Sequence, residues 1–181
     1  MITNTKVNVM CDLETLGVRP GCKILSLAAV PFLVTSNITP FYMKIDRNSY
    51  PNDFHDDYST LVWWDKQDQA ARDEAFSGKM SVGEVLDEFK IWCMRIPGDV
   101  VLWGNGSDFD NAILNEAYRL MGTPAPWNFR NNMCYRTLKN LFPQVPYTKP
   151  TQAHNALSDA TAQAIHATAI LRSRFIGLQH G

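Results

Sequence analysis

The 181-residue sequence is short of several features that would assign it at once. It has no excess of basic charge: 17 lysines and arginines stand against 18 aspartates and glutamates, giving a formal net charge of -1. Coating a nucleic-acid duplex takes many phosphate-neutralising cations, so a duplex-coating surface is excluded. The four cysteines, Cys11, Cys22, Cys93 and Cys134, form no CxxC pair, which removes the usual spacing of a zinc site. The longest apolar stretch, residues 24–34, is broken by Ser26 and Pro31 and is too short to span a bilayer, so no membrane association is expected. Residues 1–8 are polar and lack the apolar core of a secretory leader, so a cytoplasmic protein with reduced thiols is the expectation. There is no repeat, low-complexity tract or linker, and 1–181 reads as one domain. Glutamate is also scarce, with 5 against 13 aspartates. Glutamate suits helix surfaces, whereas aspartate favours caps, turns and hard-metal sites.

What is present reads as a folded α/β chain. Apolar residues make up 45% and charged residues 19%, which is ordinary for a packed domain and excludes bulk disorder. Residues 6–15 alternate, with Val7, Val9, Cys11 and Leu13 on one face and Asn8, Met10, Asp12 and Glu14 on the other. Gly17, Pro20 and Gly21 make a turn, and residues 23–34 and 40–45 read as two further strands. A helix is expected over 60–76. The capping box Ser81-Val-Gly-Glu84 opens another that stops before Pro97. Residues 100–103 read as a buried strand, 108–121 as a helix with Asp108 at its N-cap, 134–141 as a short helix and 155–175 as a long, alanine-rich one. Strands first, then helices alternating with strands, indicate a three-layer α/β domain with a mixed sheet.

Three acidic patterns punctuate this layout. Asp12-Leu-Glu14 places two carboxylates on one side of a strand, within reach of one ion. Asn105-Gly-Ser-Asp108-Phe109-Asp110 follows the buried strand and opens a helix. His154-Asn-Ala-Leu-Ser-Asp159 spans a helix start. On a continuous helix His154 and Asp159 would point about 140° apart, but with Asn155 as N-cap the histidine lies in the loop and can swing over the first turns. Each pattern alone is weak: chance supplies roughly a third of a DxE in a chain of this composition. Together they occur in order at a strand end, a strand–helix junction and a helix start. Carboxylates from separate segments share a site only if cations offset their repulsion, and an all-oxygen set selects Mg²⁺ or Mn²⁺ over zinc.

Asp12/Glu14, Asp110 in its Asn105…Phe109-Asp110 block, and His154 with Asp159 resemble the four acids and the histidine of the DEDDh 3′–5′ exonucleases. The strings Asp12-Leu-Glu-Thr-Leu-Gly17 and His154-Asn-Ala-Leu-Ser-Asp-Ala160 also look like that family. Leu61-Val-Trp63-Trp64-Asp65-Lys66-Gln67, Ala71-Arg72 and Arg136-Thr-Leu138 resemble the small single-domain members of mycobacterial exoribonuclease type and related phage exonucleases. The chain departs from the pattern at Leu16, where threonine is common, and at Cys11, where a branched aliphatic is commoner.

The resemblance implies a ribonuclease H-like three-layer fold, a mixed five-stranded sheet flanked by helices. It implies hydrolysis of phosphodiester bonds from the 3′ end of single-stranded RNA or DNA with two divalent cations, Mg²⁺ or Mn²⁺. Asp12, Glu14, Asp110 and Asp159 would hold the metals, and His154 would be the general base; an imidazole has an unperturbed pKa of about 6.5, suited to that task near neutrality. Thr15, Leu16, Phe109 and one of the adjacent tryptophans, assigned as Trp64, would contact the terminal nucleotide. Lys66, Arg72, Arg119 and Arg136 are the nearest candidates for phosphate contacts. A homodimer is expected, as for small relatives. Two other readings stand beside this one: a non-catalytic nucleic-acid-binding module on the same fold, and an enzyme that clears fragments of a few nucleotides.

Overall fold

The alternation along β1 (Lys6–Thr15) decides what lies on each side of the sheet. Successive side chains of a strand point to opposite faces. Val7, Val9, Cys11 and Leu13 pack into a large cluster with Val85, Leu86 and Phe89 of α3 (Val82–Met94) and Ile113, Leu114 and Ala117 of α4 (Asp110–Leu120). Met10 faces the other way, against Ala156, Ala160, Ala164 and Ala167 of α6 (Ala156–Gly177). Asp12 and Glu14 share the parity of Met10, so the same alternation directs both carboxylates to the α6 side.

The computed structural model describes residues 5–35, 37–106, 108–150 and 152–177. Residues 1–4, from the polar N-terminal stretch, and Ser107, from the loop before α4, lie outside the described residues. The remaining elements are β2 (Ile24–Phe32), β3 (Phe41–Lys44), α1 (Tyr58–Asp65), α2 (Gln69–Ala75), β4 (Asp99–Gly104), a 3₁₀ turn at Phe129–Asn131, β5 (Asn132–Cys134) and α5 (Tyr135–Leu141). The five strands form one mixed sheet in the order β3-β2-β1-β4-β5. β1 pairs antiparallel with β2, and β2 antiparallel with β3, whereas β1–β4 and β4–β5 are parallel. Among the described residues no helix is long and apolar enough to cross a membrane.

Local chemistry explains the starts of α3 and α6. At α3 the Ser81 hydroxyl accepts from the Glu84 N–H, and the Glu84 carboxylate accepts from the Ser81 N–H at 2.7 Å, so the expected capping box is formed. Such a cap stabilises a helix by about 1 kcal/mol. At α6 the Asn155 Oδ1 accepts from the Ser158 N–H at 2.9 Å, as its N-cap position requires.

Three expectations change. The single helix over 60–76 is two helices. The N–H groups of Lys66 and Gln67 turn back to the carbonyls of Trp63 and Trp64, and the chain restarts behind an extended Asp68. α4 begins at Asp110 with Phe109 in the N-cap position, and Asp108 is exposed. The loop closes on the carboxylate of Asp110, which accepts from the Asn105 N–H at 2.7 Å, so Asp108 has no cap to make. Finally, β5 adds three residues parallel to β4, too few for a periodic pattern to show.

Candidate active site

The site forms where two paired strands part. β1 and β4 run together from Lys6↔Asp99 to Met10↔Trp103; then β4 ends at Gly104 and β1 continues to Thr15. In a sheet with parallel pairing, the crevice beyond the carboxyl ends of strands is where ligands bind. Beyond Met10 the exposed edge of β1 needs a partner, and Asp110 supplies it. Its Oδ1 accepts from the Leu13 N–H at 3.1 Å and its Oδ2 from the Asn105 N–H. Asp110 is thus buried behind the crevice with both oxygens engaged.

Asp12 and Glu14 line the crevice, and α6 brings Asp159 to them. Oxygens of Asp12, Glu14 and Asp159 all lie within 4.8 Å of one another. The approach is possible because the α6 face against the sheet is alanine. Among the described residues no lysine or arginine forms an ion pair with any of the three. Their mutual repulsion and burial are visible as raised pKa values. Burial, then the charges of Asp159 and Asp110, push Glu14 up to about 8. Burial, followed by the charges of Asp110, Glu14 and Asp159, lifts Asp12 well above the carboxylate range. Burial raises Asp110 to about 6, moderated by its backbone hydrogen bonds, and burial also raises Asp159. Crowded, oxygen-only and uncompensated by side-chain cations, this donor set fits divalent metal.

Asp12, Glu14 and Asp159 open into a cleft of ≈ 510 Å³ whose other walls include Thr15, Gly17, Val18, Trp63, Trp64, Asn105, Phe109, His154 and Gln163. His154 stands outside α6, with a left-handed backbone (φ 58°) that few non-glycine residues adopt. Its ring meets Trp63 edge-on at 4.8 Å between centroids and lies 6.2 Å from Trp64. The next residue is anchored too: Asn155 Nδ2 donates to Glu74 Oε1 of α2 at 3.2 Å. Glu74 also accepts from Tyr42 Oη at 2.7 Å and Lys44 Nζ at 3.1 Å.

Of the residues expected to contact a nucleotide, Thr15, Phe109 and Trp64 line the cleft and Leu16 does not. Leu16 is fully buried with Leu25, Trp64 and Ala75, so its side chain packs under the cleft and does not line it. The exposed residue after the acid pair is Val18. Trp64, the tryptophan assigned to the substrate, is 1% exposed, and its Nε1–H donates to the Thr15 carbonyl at 2.9 Å. Its neighbour Trp63 is 41% exposed and presents the open ring. Thr15 lines the cleft with its hydroxyl turned back to the Gly17 carbonyl. Phe109 serves both purposes, packing against the large core cluster and lining the cleft.

Of the cations, Arg136 comes near Gly106 and lowers the pKa of Asp110. Lys66 lines an adjoining cavity that His154 also borders. Arg119 is paired with Glu116, and Arg72 bonds Gln69. Sequence reasoning missed Gln163. Its spacing of four from Asp159 on a helix was the available signal, since it places both on one face.

Known structures share this architecture. The nuclease domain of 3′hExo, a DEDDh family member, bound to rAMP superposes with a TM-score of 0.59 at 14% identity over 92% of each chain. E. coli Exonuclease I in complex with a 5cy-dA13 oligonucleotide gives 0.61 at 15% identity, covering 93% of this chain and 41% of that one. S. pombe Pop2p in its Mg²⁺- and Mn²⁺-bound form gives 0.58 at 14% identity, over 93% and 84%. The fold is therefore the ribonuclease H-like fold of the DEDDh exonucleases. No curated protein sequence matches the chain. The model of the Rv2179c-like 3′–5′ exoribonuclease domain matches residues 7–171, which carry the crevice, the four acids and the histidine. With that match spanning nearly the whole chain, the protein belongs to the Rv2179c-like exoribonuclease domain family and is a nuclease.

Proposed function

We propose that the chain removes nucleotides from the 3′ end of single-stranded nucleic acid, using two divalent cations, Mg²⁺ or Mn²⁺, and His154 as general base. The observation that carries this reading is the Asp12–Glu14–Asp159 cluster, opening into the same cleft as His154. Asp12, Glu14 and Asp159 would hold one cation. Asp12 with Asp110 would support the other, with Asp110 acting from behind through its charge. Bound there, the cations would supply Lewis acidity, polarising phosphate oxygens and making water easier to deprotonate.

The chain's own residues supply the rest. A ring nitrogen of His154 accepts the proton of the attacking water. The strained backbone, the tryptophan edges and the Asn155–Glu74 link hold that ring at the cleft mouth. Trp63 offers a face on which a base stacks without regard to sequence, which suits a nearly neutral protein. Thr15, Val18 and Phe109 shape the pocket for the terminal nucleotide. The family description favours RNA, with DNA as the second substrate to test. The reading includes a homodimer, in which a second subunit adds contacts that one neutral domain lacks; sedimentation at micromolar concentration tests this.

The decisive experiment incubates 5′-labelled single-stranded RNA and DNA with the protein in Mn²⁺, Mg²⁺ or EDTA. A ladder shortening from the 3′ end is expected, abolished by EDTA and by Asp12→Ala. No cleavage of either substrate in either metal overturns the reading. Undiminished turnover by His154→Ala at saturating metal removes the general-base role alone.

A further inference from the structure

Gln163 is an uncharged residue set among carboxylates. It is 3% exposed, lies on α6 one turn beyond Asp159, and lines the cleft. Its Nε2 donates to Asp12 Oδ1 at 2.8 Å. Asp12 is ionised when it holds a cation, and an ionised carboxylate only accepts, so in that state the Nε2 end of the amide is the one that faces Asp12. The other end is then determined, and it is unsatisfied: Gln163 Oε1 is buried and has no hydrogen-bond partner among the described residues. Buried amide oxygens are almost always paired, and an exception calls for an explanation. With a cation bound, Asp12, Glu14 and Asp159 are ionised and are acceptors themselves, and no other described side chain donates to this oxygen. A donor that arrives with a ligand would satisfy it. A divalent cation in an oxygen site keeps several of its waters, and those waters are strong donors that need acceptors.

We infer that Gln163 belongs to the metal-holding apparatus, with Nε2 fixing one oxygen of Asp12 and Oε1 accepting a hydrogen bond from a water of the hydrated cation. The inference rests on the metal reading above and adds to it a residue outside the acid-and-histidine set. Glutamine fits where its relatives do not. Glutamate at 163 would lose the donor to Asp12 and add a further negative charge. Leucine would fill the space but hold neither Asp12 nor water. Gln163 is thus a positioning residue, acting on the metal through Asp12 and through bound water.

The test is calorimetric titration of the metal-stripped full chain with Mn²⁺, alongside thermal melting without metal. Partners of this kind typically set metal affinity by 10- to 100-fold. Gln163→Leu is expected to weaken Mn²⁺ binding within that range while melting, metal-free, no lower than the parent chain. Gln163→Asn, which keeps the amide but withdraws it by one methylene, is read the same way if the leucine variant does not fold. Unchanged Mn²⁺ affinity in the folded variant overturns the inference, and so does a loss of melting temperature with affinity intact, the mark of a purely structural role. If the parent chain and Asp12→Asn take up Mn²⁺ equally, the metal reading itself has failed. If only the parent binds and the Gln163 variants match it, that reading survives and the role of Gln163 does not.

Discussion

Replacing Glu14 with glutamine removes a carboxylate that the fold holds 9% exposed beside Asp159 and in the field of Asp110. In the metal-free protein its pKa rises from the ordinary 4.5 to about 8. Between those two values the folded chain keeps a proton that the unfolded chain releases. Stability is therefore full below about pH 4.5 and falls as pH rises through the window. At 1.36 kcal/mol per pH unit, the interval sets a ceiling on the order of 5 kcal/mol for Glu14 alone. For a chain of this length 1 kcal/mol moves the melting temperature by about 2–4 °C, so the full effect is about 10 °C or more. Glutamine has the size of the protonated acid and does not titrate. In EDTA, Glu14→Gln should match the parent near pH 5 and melt markedly higher at pH 8.5. Its profile should be shallower but still sloping, because Asp12 and Asp110 are raised in the same direction. Saturating Mn²⁺ should flatten the parent profile and do much less for the variant. Parallel melting profiles of parent and variant from pH 5 to 8.5 would refute the reasoning.

Other perturbations separate roles that lie close together. Trp64→Ala should destabilise the fold by about 3–5 kcal/mol, as loss of a large buried ring does. Trp63→Ala should leave melting nearly unchanged and raise KM for a single-stranded substrate about tenfold, the scale of one lost base–aromatic stack; equal melting losses for the two would contradict the assignment. Glu74→Ala cuts the link to Asn155, and should lower kcat about tenfold with KM preserved, partly rescued by Glu74→Gln; a change confined to KM would point elsewhere. Ala160→Leu should cost about 1–3 kcal/mol by overpacking and, by lifting α6, weaken Mn²⁺ binding as well. Calorimetry showing full Mn²⁺ affinity in that folded variant would separate the helix-to-sheet distance from the site.

The parts of the fold that follow from local rules were legible in the sequence. The alternation of Lys6–Thr15 was enough to place Asp12 and Glu14 on one face, because strand parity is absolute. Ser81…Glu84 and Asn155 announced their caps, since capping depends on residues three apart. What was not legible depends on partners distant in sequence. Which of two adjacent tryptophans turns inward is decided by Leu16, Leu25, Ala75 and the Thr15 carbonyl, none of which lies in the helix pattern. The same packing takes the Leu16 side chain away from the cleft. The break at Lys66–Asp68 has no proline or glycine to mark it. Asp110 was expected in the site, but its use of both oxygens to bridge Leu13 and Asn105 follows from where β4 ends.

The four alanines that seat α6 also set a schedule. Asp12 and Glu14 lie on the first strand, whereas His154 and Asp159 belong to the last helix and the turn before it. An elongating chain therefore carries Asp12 and Glu14 long before it carries Asp159, and the cluster closes only when α6 has settled on the sheet. Until then the third carboxylate is missing, and the acidic cluster is incomplete. The fold thus completes its acidic cluster by docking α6, and not before.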